Sequence, residues 1–239
     1  MTTDMTELSR RGRAAYWVVA ALAWAGVAAT LIITAFDGYA PPTYHEEGLF
    51  AGAAHGWAGA PERLINCLSY FTELSNIMVA IISTLLARRG RVGAWGRATH
   101  LCALMMITVT AIVYATLIGP YETLSGFALV TNPLQHIVVP AAFVGAAALA
   151  GPRGGITWGT LVRALLIPAA WIAYTLARGA FTHQYPYGFV NVWRIGYAQV
   201  AINIVAILVG GLLFMAIFAG IDWIILQTGR TGAKRFKGA

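Results

Sequence analysis

The stretch AAYWVVAALAWAGVAATLIITAF, residues 14–36, decides the fold. It contains no Asp, Glu, Lys, Arg or His, and as an α-helix rising 1.5 Å per residue it is long enough for a ~30 Å hydrocarbon core. Arg10, Arg11 and Arg13 precede it. The run is too long for the core of a cleavable signal peptide and reads as a retained signal anchor, the first membrane span. Five comparable runs follow at about 64–87, 98–119, 131–150, 159–179 and 196–221. The expected fold class is therefore all-α: one transmembrane domain over 1–239, a bundle of six helices with a basic tail at 227–239.

The whole composition fits that reading. Of 239 residues, 59% are hydrophobic and 10% charged, and the mean hydropathy is +0.69; a soluble domain carries about a quarter of its residues charged. The formal net charge of +7 could suggest nucleic acid, but the basic residues form short clusters between apolar runs and not one cationic face. They report topology instead. Arg10, Arg11, Arg13, Arg88, Arg89, Arg91, Arg97, Arg153, Arg163, Arg230, Lys234, Arg235 and Lys237 fall on one side of the expected bundle, and Arg63, Arg178 and Arg194 on the other. By the positive-inside rule both termini are expected in the cytoplasm. The preference for Arg over Lys and the abundance of Ala and Gly point to a bacterial plasma membrane. Cys67 and Cys102 open antiparallel spans, so they are expected at opposite faces and unbridged.

Polar side chains inside a span persist where they face the bundle interior or a wet cavity, and here they gather at one depth near the expected outer face. The second span carries Tyr70-Phe71-Thr72-Glu73-Leu74-Ser75-Asn76, with Ser69, Thr72 and Asn76 on one helical face and Thr72 ~10 Å below the outer end. The fourth opens Thr131-Asn132-Pro133-Leu134-Gln135-His136 and reaches Pro140; Pro133 suits a first helical turn, and Pro140 should kink the helix just below His136. Tyr185-Pro186-Tyr187-Gly188-Phe189 precedes the sixth span, which begins with Gln199 and Asn203.

A hydroxyl nucleophile needs a base to take its proton and a third group to fix that base's tautomer. Thr72 and His136 suit the first two roles, and Asn132, Asn76 or Tyr185 could orient the ring or bind an oxyanion. The structural alternative for Thr72 is a hydroxyl bonded back to its own helix. Glu73 is expected to pair with Arg178 or Arg194, and Asp222 to reach water or the basic tail. His100 lies too far away to join the group.

In the order of these segments the chain resembles the animal androgen-induced and androgen-dependent membrane hydrolases and their bacterial Pr-six-Pr relatives. Tyr70-Phe71-Thr72 stands where that family has aromatic-Leu-Thr, Asn132-x-x-x-His136 followed by Pro140 matches its Asn-x-x-x-His and proline, and Tyr185-Pro186-Tyr187 stands at its Tyr-Pro-Phe segment. Ser75 replaces the animal proteins' acidic residue, and Pro133 a second histidine. The resemblance implies a six-helix hydrolase of long-chain fatty-acyl esters, with Thr72 as nucleophile, His136 as its base, and lipid substrate entering from the outer leaflet.

Two other readings stand beside it. A non-enzymatic lipid binder or carrier would use Arg178, Arg194, Glu73 and the amides to hold a headgroup. A membrane haem protein would use His136 with His183. The hydrolase and lipid-binding readings require no metal or cofactor, and in all of them membrane lipids are the surroundings.

Overall fold

The computed structural model describes residues 7–39, 48–50 and 53–235, with side chains as far as 228. All regular structure among them is helical, and six helices are long and apolar enough to cross a membrane. The expected fold class is the observed one. His45, Glu46 and Glu47 of the 37–62 loop lie outside the described residues.

The first span is α1, Arg10–Ala35, capped by Ser9, whose hydroxyl accepts the Gly12 N–H at 3.1 Å. Arg13 donates to the carbonyls of Ala87 and Arg88 at 2.9 and 2.8 Å, tying the start of α1 to the end of the second span. Tyr16, Val19 and Ala23 of α1 meet Val79, Ile82 and Leu86, then Leu101 and Met106, then Phe143, to form the main core. Gly26 admits Leu134 and Gln135 against α1.

The second span differs from expectation in a way that matters. The apolar run 64–87 is divided into α2, Ala60–Leu68, and α3, Phe71–Arg89, by an extended Tyr70 (φ −72°, ψ 138°). The break is held by neighbouring elements: Trp171 Nε1 donates to the Ser69 carbonyl at 2.9 Å, and the Ser69 hydroxyl lies 2.7 Å from both the Ile65 carbonyl and the Tyr174 hydroxyl. The buried face of α2 is partly polar, comprising Ala60, Arg63, Asn66 and Cys67. Arg63 donates to the carbonyls of Thr34, Ala35, Ala54 and Gly56, and Asn66 to that of Leu49. Polar clamps, not apolar packing alone, fix this helix to the end of α1.

The third span is α4, Ala94–Val113, continued by a π turn over Tyr114–Ile118. The fourth begins earlier than expected, with α5, Ala128–Pro133, then a π turn over Leu134–Val138, then α6, Val139–Ala150. Pro133 therefore ends α5 and does not occupy a first turn. Pro140 cannot donate to the carbonyl of His136, and the widened turn directly before it accommodates that loss.

The fifth span is α7, Trp158–Ala164, and α8, Leu166–Thr182; Pro168, whose ring would meet the Ala164 carbonyl in a continuous helix, accounts for the break. The last is α9, Val192–Arg235, interrupted by Gly196 (φ 76°, ψ 160°) and extending into residues expected as tail. Among the stronger contacts α4 packs on α3, α6, α7 and α9, and is the middle of the bundle. Ile202, Val205, Val209 and Leu213 of α9 are exposed, an outward apolar surface that suits lipid.

Candidate functional site

Thr72 and His136 line one partly open cavity with Phe71, Val109, Val113, Tyr114, Trp171, Tyr187, Ile204 and Ile207 among its walls. Five spans and the segment before α9 contribute to it. Its lining is mostly apolar with a few converging polar groups, the usual make-up of a small-molecule site.

The break at Ser69–Tyr70 frees the Thr72 hydroxyl. Thr84, Thr99, Thr108 and Thr116, inside continuous helices, donate to the carbonyl four residues back. The corresponding residue for Thr72, Leu68, belongs to a different helix. Thr72 Oγ1 instead lies 3.3 Å from His136 Nε2 and 3.3 Å from the Tyr187 hydroxyl. Its carbonyl accepts from the Ser75 hydroxyl and the Asn76 amide, each at 2.9 Å. Asn76 Nδ2 also lies 3.3 Å from the Gln135 carbonyl, joining α3 to the π turn that carries His136.

His136 Nδ1 is 3.0 Å from the Asn132 main-chain carbonyl. That oxygen can only accept, so Nδ1 carries the proton and Nε2 presents its lone pair to Thr72. Tyr114 stacks on the imidazole, with centroids 4.0 Å apart and planes 23° apart. Asn132 thus sets the tautomer through its backbone, while its amide donates to Glu122 at 2.9 Å.

Tyr187 is the site residue that sequence reasoning passed over in favour of Tyr185. Tyr185 is buried in a second apolar cluster with Val190, Val192 and Val200, against the space left by Gly179, and is not among the residues lining the cavity. Tyr187 accepts the Thr72 N–H at 3.3 Å and stacks on Phe189, with centroids 5.1 Å apart. Burial pushes its hydroxyl up to about 12, so it is a neutral donor near pH 7. Local alternation could not have found it, since residues two apart in an extended segment share a face; the choice is set by the Tyr185 ring seating on Gly179.

Other expected members support the site from outside. Asn203 donates to the Phe189 carbonyl at 2.8 Å and accepts from Gln199 at 3.0 Å, holding the turn that follows Tyr187. Ser69 fixes the helix break and does not share a helix face with Thr72. Glu73 pairs with neither Arg178 nor Arg194 among the described ion pairs; buried on the other side of α3, it accepts from Gln135 Nε2 at 2.7 Å. Arg178 donates to Asn66 Oδ1. His183 caps α8 and packs on Trp193 at 4.1 Å, away from the cavity lining. Asp222 is buried and accepts the Gly154 N–H, where the sequence suggested water or the tail.

The arrangement can remove a proton from Thr72 Oγ1 through a correctly tautomerised imidazole. Beside it lie donors for a developing negative charge: Thr72 N–H in the first turn of α3, where backbone amides lack helical partners, and the Tyr187 O–H. No family model, curated protein or solved structure matches this chain.

Proposed function

We propose that this chain is an intramembrane hydrolase of long-chain fatty-acyl esters, with Thr72 as nucleophile and His136 as general base. The observation that carries the reading is the Thr72 Oγ1–His136 Nε2 approach of 3.3 Å, with Nδ1 anchored on the Asn132 carbonyl, inside an apolar cavity. Distances at this length tighten when substrate is bound.

In the proposed reaction, Oγ1 attacks the ester carbonyl as its proton passes to Nε2. The carbonyl oxygen becomes an anion held by Thr72 N–H and Tyr187 O–H. Collapse breaks the carbon–oxygen bond to the alcohol, which leaves with the proton from Nε2. Water, deprotonated by the same nitrogen, then attacks the acyl-threonine; collapse breaks the bond from the acyl carbon to Oγ1, which recovers the proton from Nε2 as the fatty acid leaves. Val109, Val113, Ile204 and Ile207 supply the wall along which an acyl chain would lie. With the charge bias across the spans, the cavity would open toward the outer leaflet of a bacterial plasma membrane.

The test is hydrolysis of a fluorogenic long-chain acyl ester by detergent-purified protein, alongside Thr72→Ala and His136→Ala. Loss of turnover in both variants with unchanged melting supports the pair. Turnover surviving both removes these roles, and an inactive but lipid-retaining parent would favour a binding protein built on the same cavity.

A further inference from the structure

A second, partly open cavity lies at the opposite end of the bundle from Thr72. It is bordered by the first turns of α4, the end of α6, the 152–156 loop and α9, and it combines Arg97, Arg153, His100 and Asp222 with Leu104 and Phe218. The local chain is shaped around the charged groups. Gly155 adopts φ 102°, and a Cβ there would come within 2.6 Å of Arg97 Nε. Thr160 holds the Gly155 carbonyl at 2.8 Å, and Asp222 holds the Gly154 N–H at 3.0 Å.

These charges do not satisfy one another. No ion pair joins Asp222 to either guanidinium among the described residues. Asp222 is 8% exposed and receives one N–H, shared by both carboxylate oxygens. Arg97 Nε is buried without a partner, and its Nη1 reaches only the Val92 carbonyl at 3.5 Å. Arg153 donates to the Ala148 carbonyl. His100, also 8% exposed, meets the Tyr16 hydroxyl through Nε2 at 2.8 Å. Buried opposite charges that do not meet are costly unless a ligand bridges them.

We propose that this cavity binds a zwitterionic phospholipid headgroup whose nitrogen carries N–H donors, the phosphatidylethanolamine class. The phosphate sits between Arg97 and Arg153, the ammonium donates to Asp222, and an acyl chain leaves past Leu104 and Phe218. Arginine suits a phosphodiester because its fork presents two donors to two oxygens. A headgroup bearing only negative charge would leave Asp222 unanswered and repelled. The site is independent of the Thr72–His136 chemistry.

Native mass spectrometry of the detergent-purified full chain tests this with phosphatidylethanolamine, phosphatidylcholine and phosphatidylglycerol of matched acyl chains. Retention of phosphatidylethanolamine about tenfold above both others is expected, the scale of one charge-assisted hydrogen bond. Asp222→Asn should erase that preference, and Arg97→Gln should weaken retention of all three. Because the comparison among lipids uses the parent protein, it stands even if a variant fails to fold. Equal retention of the three lipids by the parent overturns the proposal. So does retention of added soluble glycerophosphoethanolamine with none of the three lipids, which would mark a site for the free headgroup.

Discussion

The Tyr187 hydroxyl lies 3.3 Å from the amide nitrogen of Thr72 and 3.3 Å from Oγ1 of the same residue. One phenol therefore contacts both the attacking atom and the nearest main-chain donor. Under the proposed mechanism Tyr187→Phe lowers kcat on acyl ester by about 100-fold, the scale of one lost oxyanion donor, and leaves KM close to the parent's. Tyr185→Phe, altered in the apolar cluster, retains turnover. Steady-state kinetics on both variants decides it, and equal losses would count against Tyr187 as a donor.

Gly179 lies under the Tyr185 ring so closely that any Cβ would overlap it. Gly179→Ala must displace the ring, and with it the segment leading to Tyr187. A destabilisation of about 1–3 kcal/mol is expected from such overpacking, with a parallel fall in ester turnover. Gly145→Ala is the matched control, since nothing lies within 4 Å of its added carbon. Thermal melting and kcat measured on the same preparations would reveal an unaffected Gly179→Ala protein, which this packing does not permit.

Arg63 is 4% exposed and donates to four carbonyls from the end of α1 and the loop that follows it. Arg63→Met removes all four donations, leaving the Thr34 carbonyl only its main-chain partner Asp37 N–H, and a loss on the order of 3 kcal/mol is expected. Cys67, one turn further along α2, offers a local readout. It is buried, so it should resist maleimide in the parent and react once α2 loosens. In a Cys102→Ala background, labelling that stays as slow in Arg63→Met as in the parent would disprove the clamp.

Asp37 follows α1, and its carboxyl is held below the ordinary value of 3.8, first by His55, then by the Gly56 N–H and Arg63. A depressed carboxyl contributes stability above its unfolded value and loses it as pH falls through the folded one. The difference in Tm between parent and Asp37→Asn should stay level from about pH 7 to 5 and close below about pH 4. A gap that widens on acidification would reverse the assigned sign.

Much of this architecture is legible in hydropathy because a bilayer demands long apolar runs, and Ala14–Phe36 needs no neighbour to be recognised. Thr72 and His136 were legible as well, as polar residues at a similar depth on separate spans. What escaped was set by tertiary contacts. The second run reads as continuous from 64 to 87, and nothing local announces that Trp171 and Tyr174 will capture Ser69. The choice of Tyr187 over Tyr185 depends on Gly179, six residues upstream of Tyr185 on another element. Glu73 was assigned to an arginine by charge alone, whereas the contact surface of α3 gives it Gln135.

The division between α2 and α3 gives the chain a way to tell its threonines apart. Most of those described along the spans spend their hydroxyls on their own backbone and are chemically mute. Thr72 differs in address, not in kind: it stands just inside a doorway, where the preceding turn that would have silenced it belongs to other architecture. Grafting this chemistry onto another bundle would therefore mean moving an interruption together with its residue, because a threonine transplanted into an unbroken helix would arrive already occupied.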